Sequence, residues 1–235
     1  MFRQDQVLEK TRVVVEKVKY MVNTLGVKPE SFLIITFSTK AADELKERLI
    51  DGNIPASDVQ KMHISTIHSF CLDILEKTGT VGLDVVADDG KLGLFIKKHI
   101  SDLGFDNEFY LRGNYWIGKV IEKYDDFSKF NVDTEGLVEY LEKTFPVDKE
   151  YVEFVHKYME ENDGEFPIDD ANDKVFKESY KNAKYIQMAK SYPIYLELLE
   201  KENSIDYNQM QIKSLEKMNE GYMPPYTNIL IDEFQ

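Results

Sequence analysis

The chain has 235 residues, 43% of them hydrophobic, and its 29 Lys and Arg against 43 Asp and Glu give a formal net charge of −14. That content is ample for one large or two small cores. The absence of an apolar run near 18 residues and of a signal-peptide pattern argues against a membrane partner, so a soluble cytoplasmic protein is expected.

The single cysteine, Cys71, excludes an intramolecular disulfide and fits a reducing compartment. The 14 tyrosines and 14 phenylalanines are scattered rather than periodic and read mostly as core. The charge is unevenly placed. Residues 1–79 hold 11 basic and 11 acidic side chains, which leaves 18 basic against 32 acidic for residues 80–235. A broad nucleic-acid wrapping surface is disfavoured by this balance, but a local contact strip in the neutral first part is not.

Residues 1–11 are expected to precede a helix whose apolar stripe is Val14, Val18, Met21, Val22 and Leu25, with Gly26 as its stop. A phosphate-binding P-loop, G-x-x-x-x-G-K-[ST], would end in Gly-Lys-Thr just before such a helix. Lys10-Thr11 stands in that place, but Gln4 and Glu9 occupy the two glycine positions. Glycines let the backbone curl its amides round phosphates; side chains obstruct that curl, and Glu9 adds repulsion. The apolar strand that should lead into such a loop is also missing, so the cradle is read as absent or ruined.

Val27-Lys28-Pro29-Glu30 is a loop. Phe32, Leu33, Ile34, Ile35 and Phe37 follow as an apolar run, read as a strand buried on both faces, of the kind found in parallel sheets. Ser38-Thr39-Lys40 breaks the run, and from Ala41 the composition is helical, with Leu45 and Leu49 on one face. The turn therefore lies at the carboxyl end of its strand, where open α/β sheets bind ligands. Its hydroxyls, lysine and free helical amides suit a phosphate, although an ordinary β-α loop has the same look.

After a second loop over residues 52–58, Met62–Thr66 reads as another short strand, and a helix beginning near Ser65 or Thr66 runs to Gly79. His68 beside Ser69 at a helix start also fits a capping or packing histidine. His63, His68 and Cys71 do not make a zinc set, because His63 is on the strand side and no fourth ligand has suitable spacing.

Residues 80–190 read as a separate, mainly helical insertion, with candidate helices at 89–103, 115–129, 134–145, 148–162 and 172–190. Residues 191–235 return toward the sheet, and Tyr226–Ile231 is a strand that delivers Asp232 and Glu233 at its carboxyl end. Paired carboxylates there suit a divalent cation, though many strands end in acids for solvation alone.

Three of these stretches carry a resemblance. Thr36-Phe-Ser-Thr-Lys40-Ala-Ala-Asp-Glu-Leu-Lys-Glu-Arg48 resembles motif Ia of the UvrD/Rep-type superfamily 1 DNA helicases. Ile64-Ser-Thr66-Ile-His68-Ser69-Phe-Cys71 resembles their motif Ib, and Ile229-Leu-Ile-Asp232-Glu233-Phe-Gln235 resembles motif II, the Walker B. Arg12-Val-Val-Val-Glu-Lys-Val-Lys-Tyr20 is similar to the family's first helix. The resemblance implies an α/β fold: an incomplete RecA-like parallel sheet with a helical inserted subdomain. Its division would be 1–79 as the first part of domain 1A, 80–190 as a 1B-like insertion, and 191–235 as the return to 1A.

The resemblance also implies roles. Lys10 and Thr11 would contact the nucleotide, Asp232 would hold Mg²⁺, Glu233 would orient and deprotonate the attacking water, and Gln235 would sense the γ-phosphate of ATP. Thr36, Ser38, Lys40, Thr66, His68 and Ser69 would contact single-stranded DNA. Where many relatives carry phenylalanine this chain has Ile67, which removes an aromatic platform for stacking. The implied function is a fragment of an ATP-dependent DNA helicase that translocates on single-stranded DNA and unwinds duplex. The alternative is a helicase-like binding or scaffolding module without ATPase activity. A second RecA-like domain supplying arginines is missing from these residues, so the isolated chain is expected to be inactive.

Overall fold

The computed structural model describes residues 2–80, 82–86, 88–105, 115–145, 147–162 and 173–232, without the side chains of 2–10, 89, 115, 151, 156, 159, 160 and 173–180. The described chain forms two compact units, one of residues 1–81 with 210–235 and one of residues 82–209.

The first unit is a parallel sheet of three strands, β1 (Phe32–Thr36), β2 (His63–Thr66) and β5 (Asn228–Ile231), in the order β2-β1-β5. Central strand β1 is buried along its whole length because both of its faces are covered. Phe32 and Ile34 pack with Val15 and Val18 of α1 (Phe2–Asn23) and with Ala42, Leu45 and Leu49 of α2 (Thr39–Asp51). Leu33 and Ile35 meet Phe70 and Ile74 of α4 (Ile67–Lys77) together with Tyr222 and Tyr226. A short helix α3 (Ala56–Val59) occupies part of the expected loop and buries Val59. The α/β architecture with an incomplete parallel sheet is thus the observed one.

Some sequence expectations are corrected. Helix α1 begins at Phe2, so residues 2–11 are its first three turns rather than a leader. Leu25 lies beyond its end and is 57% exposed, and Gly26 takes the left-handed φ of 67° that lets the chain leave the helix. Phe37 follows the strand instead of closing it and is 85% exposed. Ser38 is the physical reason: its hydroxyl accepts from the Ala41 amide and so starts α2 there, which puts Phe37 in the turn.

The second unit contains α5 (Asp89–Lys98), α6 (Tyr115–Lys129), α7 (Thr134–Thr144), α8 (Lys149–Glu161) and α9 (Asp173–Lys201), and a two-stranded parallel pair, β3 (Asp84–Val85) with β4 (Ser204–Ile205). Its core joins Phe95, Ile96, Leu103, Phe105, Val120 and Tyr124 to Met188, Tyr192, Tyr195 and Leu199. Helix α9 does not stop at residue 190. It continues through Pro193 because Tyr192, Tyr195, Leu198 and Leu199 go on burying a stripe against the same core. The buried Tyr195 hydroxyl donates to Asp206 Oδ2 at 2.6 Å, and Asp206 Oδ1 accepts from the Gln209 amide at 2.7 Å, capping α10 (Tyr207–Asn219). Among the described residues no helix is long and apolar enough to cross a membrane.

Candidate functional site at the carboxyl edge of the sheet

The three strands run parallel, so their carboxyl ends share one edge. Register sets the first two turns side by side: Thr36, the last residue of β1, is the direct neighbour of Thr66, the last of β2. The third end carries Asp232, whose amide donates to the Ile35 carbonyl at 2.8 Å and extends the ladder by one bond.

At the first turn Thr36 is buried, and its hydroxyl donates to the Ser38 carbonyl at 3.0 Å. Ser38 Oγ is the acceptor of the Ala41 amide at 3.1 Å. Lys40 has an 87% exposed side chain, 4.0 Å from Glu44 one turn on, a loose pairing from which the ammonium can swing toward a phosphate. Phe37 projects from the same turn. Sequence reading missed it by extending the strand one residue too far, although the Ser38 capping signal marked the boundary.

The second turn is built alike. Thr66 Oγ1 accepts from the Ser69 amide at 3.2 Å and lies 3.0 Å from Ser69 Oγ, so Thr66 caps α4. Ser69 is exposed, whereas His68 is half-buried and its Nε2 is 3.0 Å from Gln211 Nε2. Burial pushes the His68 pKa below the ordinary imidazole value, which favours the neutral ring. Gln211 had no local sequence signal, being 143 positions away. Under this turn a hydrogen-bond chain crosses the sheet face: Tyr226 OH is 3.0 Å from His63 Nδ1, and His63 Nε2 is 2.9 Å from Ser65 Oγ, which donates to the Thr66 carbonyl at 3.2 Å. Because the Ser65 proton is used there, Ser65 accepts from His63 Nε2–H, and Nδ1 accepts from the tyrosine.

At the third end Thr11 Oγ1 donates to Asp232 Oδ2 at 3.1 Å, joining residues 221 positions apart. Asp232 is buried, and its Oδ1 has no hydrogen-bond partner among the described residues. A buried carboxylate with one unsatisfied oxygen beside a hydroxyl offers hard donors of the type Mg²⁺ takes. The fit to a polyphosphate is poor. Residues 4–11 lie inside α1, where the amides from residue 5 onward are bonded along the helix and cannot curl round phosphates. The Lys10 side chain, Glu233 and Gln235 lie outside the described residues. Among the described residues no group of three or more His, Cys, Asp or Glu side chains is arranged to hold a metal by itself.

Comparison with known proteins gives matches along most of the chain. A family model described as "UvrD/REP helicase N-terminal domain" matches residues 10–235. A "Probable DNA helicase II homolog" of Mycoplasma capricolum subsp. capricolum is 27% identical over 232 residues, covering 96% of this chain and 27% of the relative. A "Probable DNA helicase" of Mycoplasma pneumoniae is 40% identical over 82 residues, 35% of this chain and 15% of the relative. The "ATP-dependent DNA helicase PcrA" of Leuconostoc citreum is 33% identical over 106 residues, 43% of this chain and 14% of the relative. The chain therefore spans little more than a quarter, at most, of the length of these three relatives.

Proposed function

We propose, from the premise that this chain belongs to the UvrD/REP helicase N-terminal domain family, that it is the part of an ATP-dependent DNA helicase that grips single-stranded DNA. The side-by-side setting of the turns after Thr36 and Thr66 carries this reading. Thr36 and Ser38 shape the first turn, Lys40 supplies a mobile charge for a phosphate, and Thr66, His68 and Ser69 form the second contact. Phe37, exposed in the same turn, has the chemistry to stack on a base.

In the parent enzyme, bound Mg²⁺ would neutralise phosphate charge on ATP. Here Asp232 and Thr11 are the residues suited to hold it. Glu233 and Gln235 are the proposed hydrolytic pair, and Lys10 the proposed phosphate contact. The relatives' printed names, which include ATP-dependent DNA helicases, support the parent activity. Translocation and unwinding would also need a second RecA-like domain as partner, and cytoplasmic location follows from that role.

A second reading, a helicase-like binding or scaffolding module without ATPase activity, draws support from the helical backbone over Gln4–Glu9. Both readings keep the DNA strip. Titration of a fluorescent single-stranded oligonucleotide at two salt concentrations tests it. Affinity on the order of micromolar at physiological salt is expected, as for non-specific binding, falling steeply as salt rises. Lys40→Ala weakens all sequences alike and lowers the salt slope by about 1. Indistinguishable binding by wild type and Lys40→Ala removes the turn after β1 from the contact.

A further inference from the structure

His68 and Cys71 lie one turn apart on α4, and Gln211 and Ser214 lie one turn apart on α10. His68 is joined to Gln211 and Cys71 to Ser214, each pair separated by the same 143 positions. A constant offset means that the two helices run in the same direction here, side by side. The lower rung is buried: Ser214 Oγ lies 2.9 Å from the Cys71 carbonyl and 2.6 Å from the Met210 carbonyl of its own helix, so the two acceptors share its one proton, and the Ser214 side chain is almost wholly enclosed. That rung fixes the height of α10 and so presents Gln211 opposite the imidazole.

The polarity of the upper rung is set by which end of the Gln211 carboxamide faces the ring, and here it is the nitrogen. A carboxamide nitrogen carries two hydrogens and no lone pair to share, so the ring nitrogen facing it must accept. With Gln211 Nε2 3.0 Å from His68 Nε2, the single proton of the neutral ring belongs on Nδ1. We infer that Gln211 is a positioning residue for His68, holding the imidazole in the Nδ1–H tautomer and in one orientation at the turn after β2. The importance of that orientation for DNA rests on the proposed function, in which this turn touches the strand. Burial favours the neutral ring as well, so the contact works as a hydrogen-bond lock and needs no charge.

The lock uses a polar residue on the exposed face of α10. The helix places Met210 and Ser214 in the buried contact, while Gln211 is exposed and has the reach of a long carboxamide. A leucine there would keep the helix and lose the donor.

The test reads the ring directly. In the full chain labelled with ¹⁵N, long-range proton–nitrogen correlation at neutral pH is expected to show His68 Nε2 as the unprotonated nitrogen and Nδ1 as the protonated one. Gln211→Leu removes the donor facing Nε2 and so lowers the share of the Nδ1–H tautomer. Gln211→Glu, which offers an acceptor, moves the proton to Nε2. The opposite tautomer in wild type, or a His68 spectrum unchanged by both substitutions, overturns the inference.

Oligonucleotide titration gives the second arm. Gln211→Leu weakens binding about two- to tenfold, the scale of one hydrogen bond, and leaves the salt slope unchanged because no charge is lost. Full-strength binding by Gln211→Leu, with the tautomer shifted, overturns the positioning role. A wild-type chain that fails to bind at all overturns the DNA reading itself, whatever the tautomer, so the two failures are told apart.

Discussion

Asp232 has one carboxylate oxygen on the Thr11 hydroxyl and the other, buried, without a partner among the described residues. An unpaired buried oxygen costs free energy that a cation can recover. Millimolar Mg²⁺ is therefore expected to raise the thermal midpoint of the wild-type chain by mass action, and to leave Asp232→Ala unmoved. Equal responses of the two proteins in a melting experiment would show that the cation binds elsewhere. His63 makes the second residue-scale prediction. Burial depresses its pKa first of all; Lys77 and Lys46 push the same way, while Asp73 opposes them. The unfolded ring takes up its proton at the ordinary value near 6.5, before the folded one does. Stability is thus complete above that pH and falls as pH drops through the window between the unfolded and the depressed folded pKa. Protonation would also take from Tyr226 the lone pair it donates to at Nδ1. Urea midpoints at about pH 7.5 and pH 5.5, either side of the ordinary imidazole value, are expected to differ more for wild type than for His63→Gln. His68 shifts in the same direction, so the variant keeps part of the slope.

At the scale of an element, α2 shows how one turn can serve stability and binding at once. Its N-cap is the Ser38 hydroxyl, bonded to the Ala41 amide. Ser38→Ala removes the cap and is expected to cost about 1 kcal/mol in urea unfolding. Ser38→Asp keeps a cap of similar quality and adds a favourable charge at the helix N-terminus. Its stability is therefore expected at or above wild type, while its affinity for an oligonucleotide falls because the new carboxylate repels phosphate. If Ser38→Asp binds DNA as well as wild type, the turn caps a helix and does no more. Helix α4 repeats the design with Thr66 and Ser69, so the two elements present the same kind of edge for the same physical reason.

For the whole molecule the decisive features are the charge of −14 and the course of α1. The acidic excess lies beyond residue 79, so the neutral first part is where a phosphate strip is least opposed. Helix α1 carries residues 4–11 past the place where a phosphate cradle would open, and its amides are spent on the helix. Steady-state ATP hydrolysis by this chain is accordingly expected to be negligible, with or without single-stranded DNA. Turnover that DNA stimulates and Glu233→Gln abolishes would refute this, and would require the first turns of α1 to rearrange around nucleotide.

Local pattern by itself determined the strand cores and most helices. Phe32–Ile35 is a short apolar run that suits a strand covered on both faces, and Gln4 and Glu9 deny the phosphate loop its glycines whatever the rest of the chain does. Ser38 and Thr66 carry their capping signals in their own side chains. Tertiary structure decided what depends on partners distant in sequence. Helix α9 passes through Pro193 because the core on which Tyr192 and Tyr195 pack outweighs the lost backbone bond. Phe37 stands in solvent in the turn between the end of β1 at Thr36 and the N-cap of α2 at Ser38. The contacts of Thr11 with Asp232 and of His68 with Gln211 join residues 221 and 143 positions apart. No local pattern encodes such pairs, since hydrogen bonding depends on distance in space and only the folded sheet edge sets that distance.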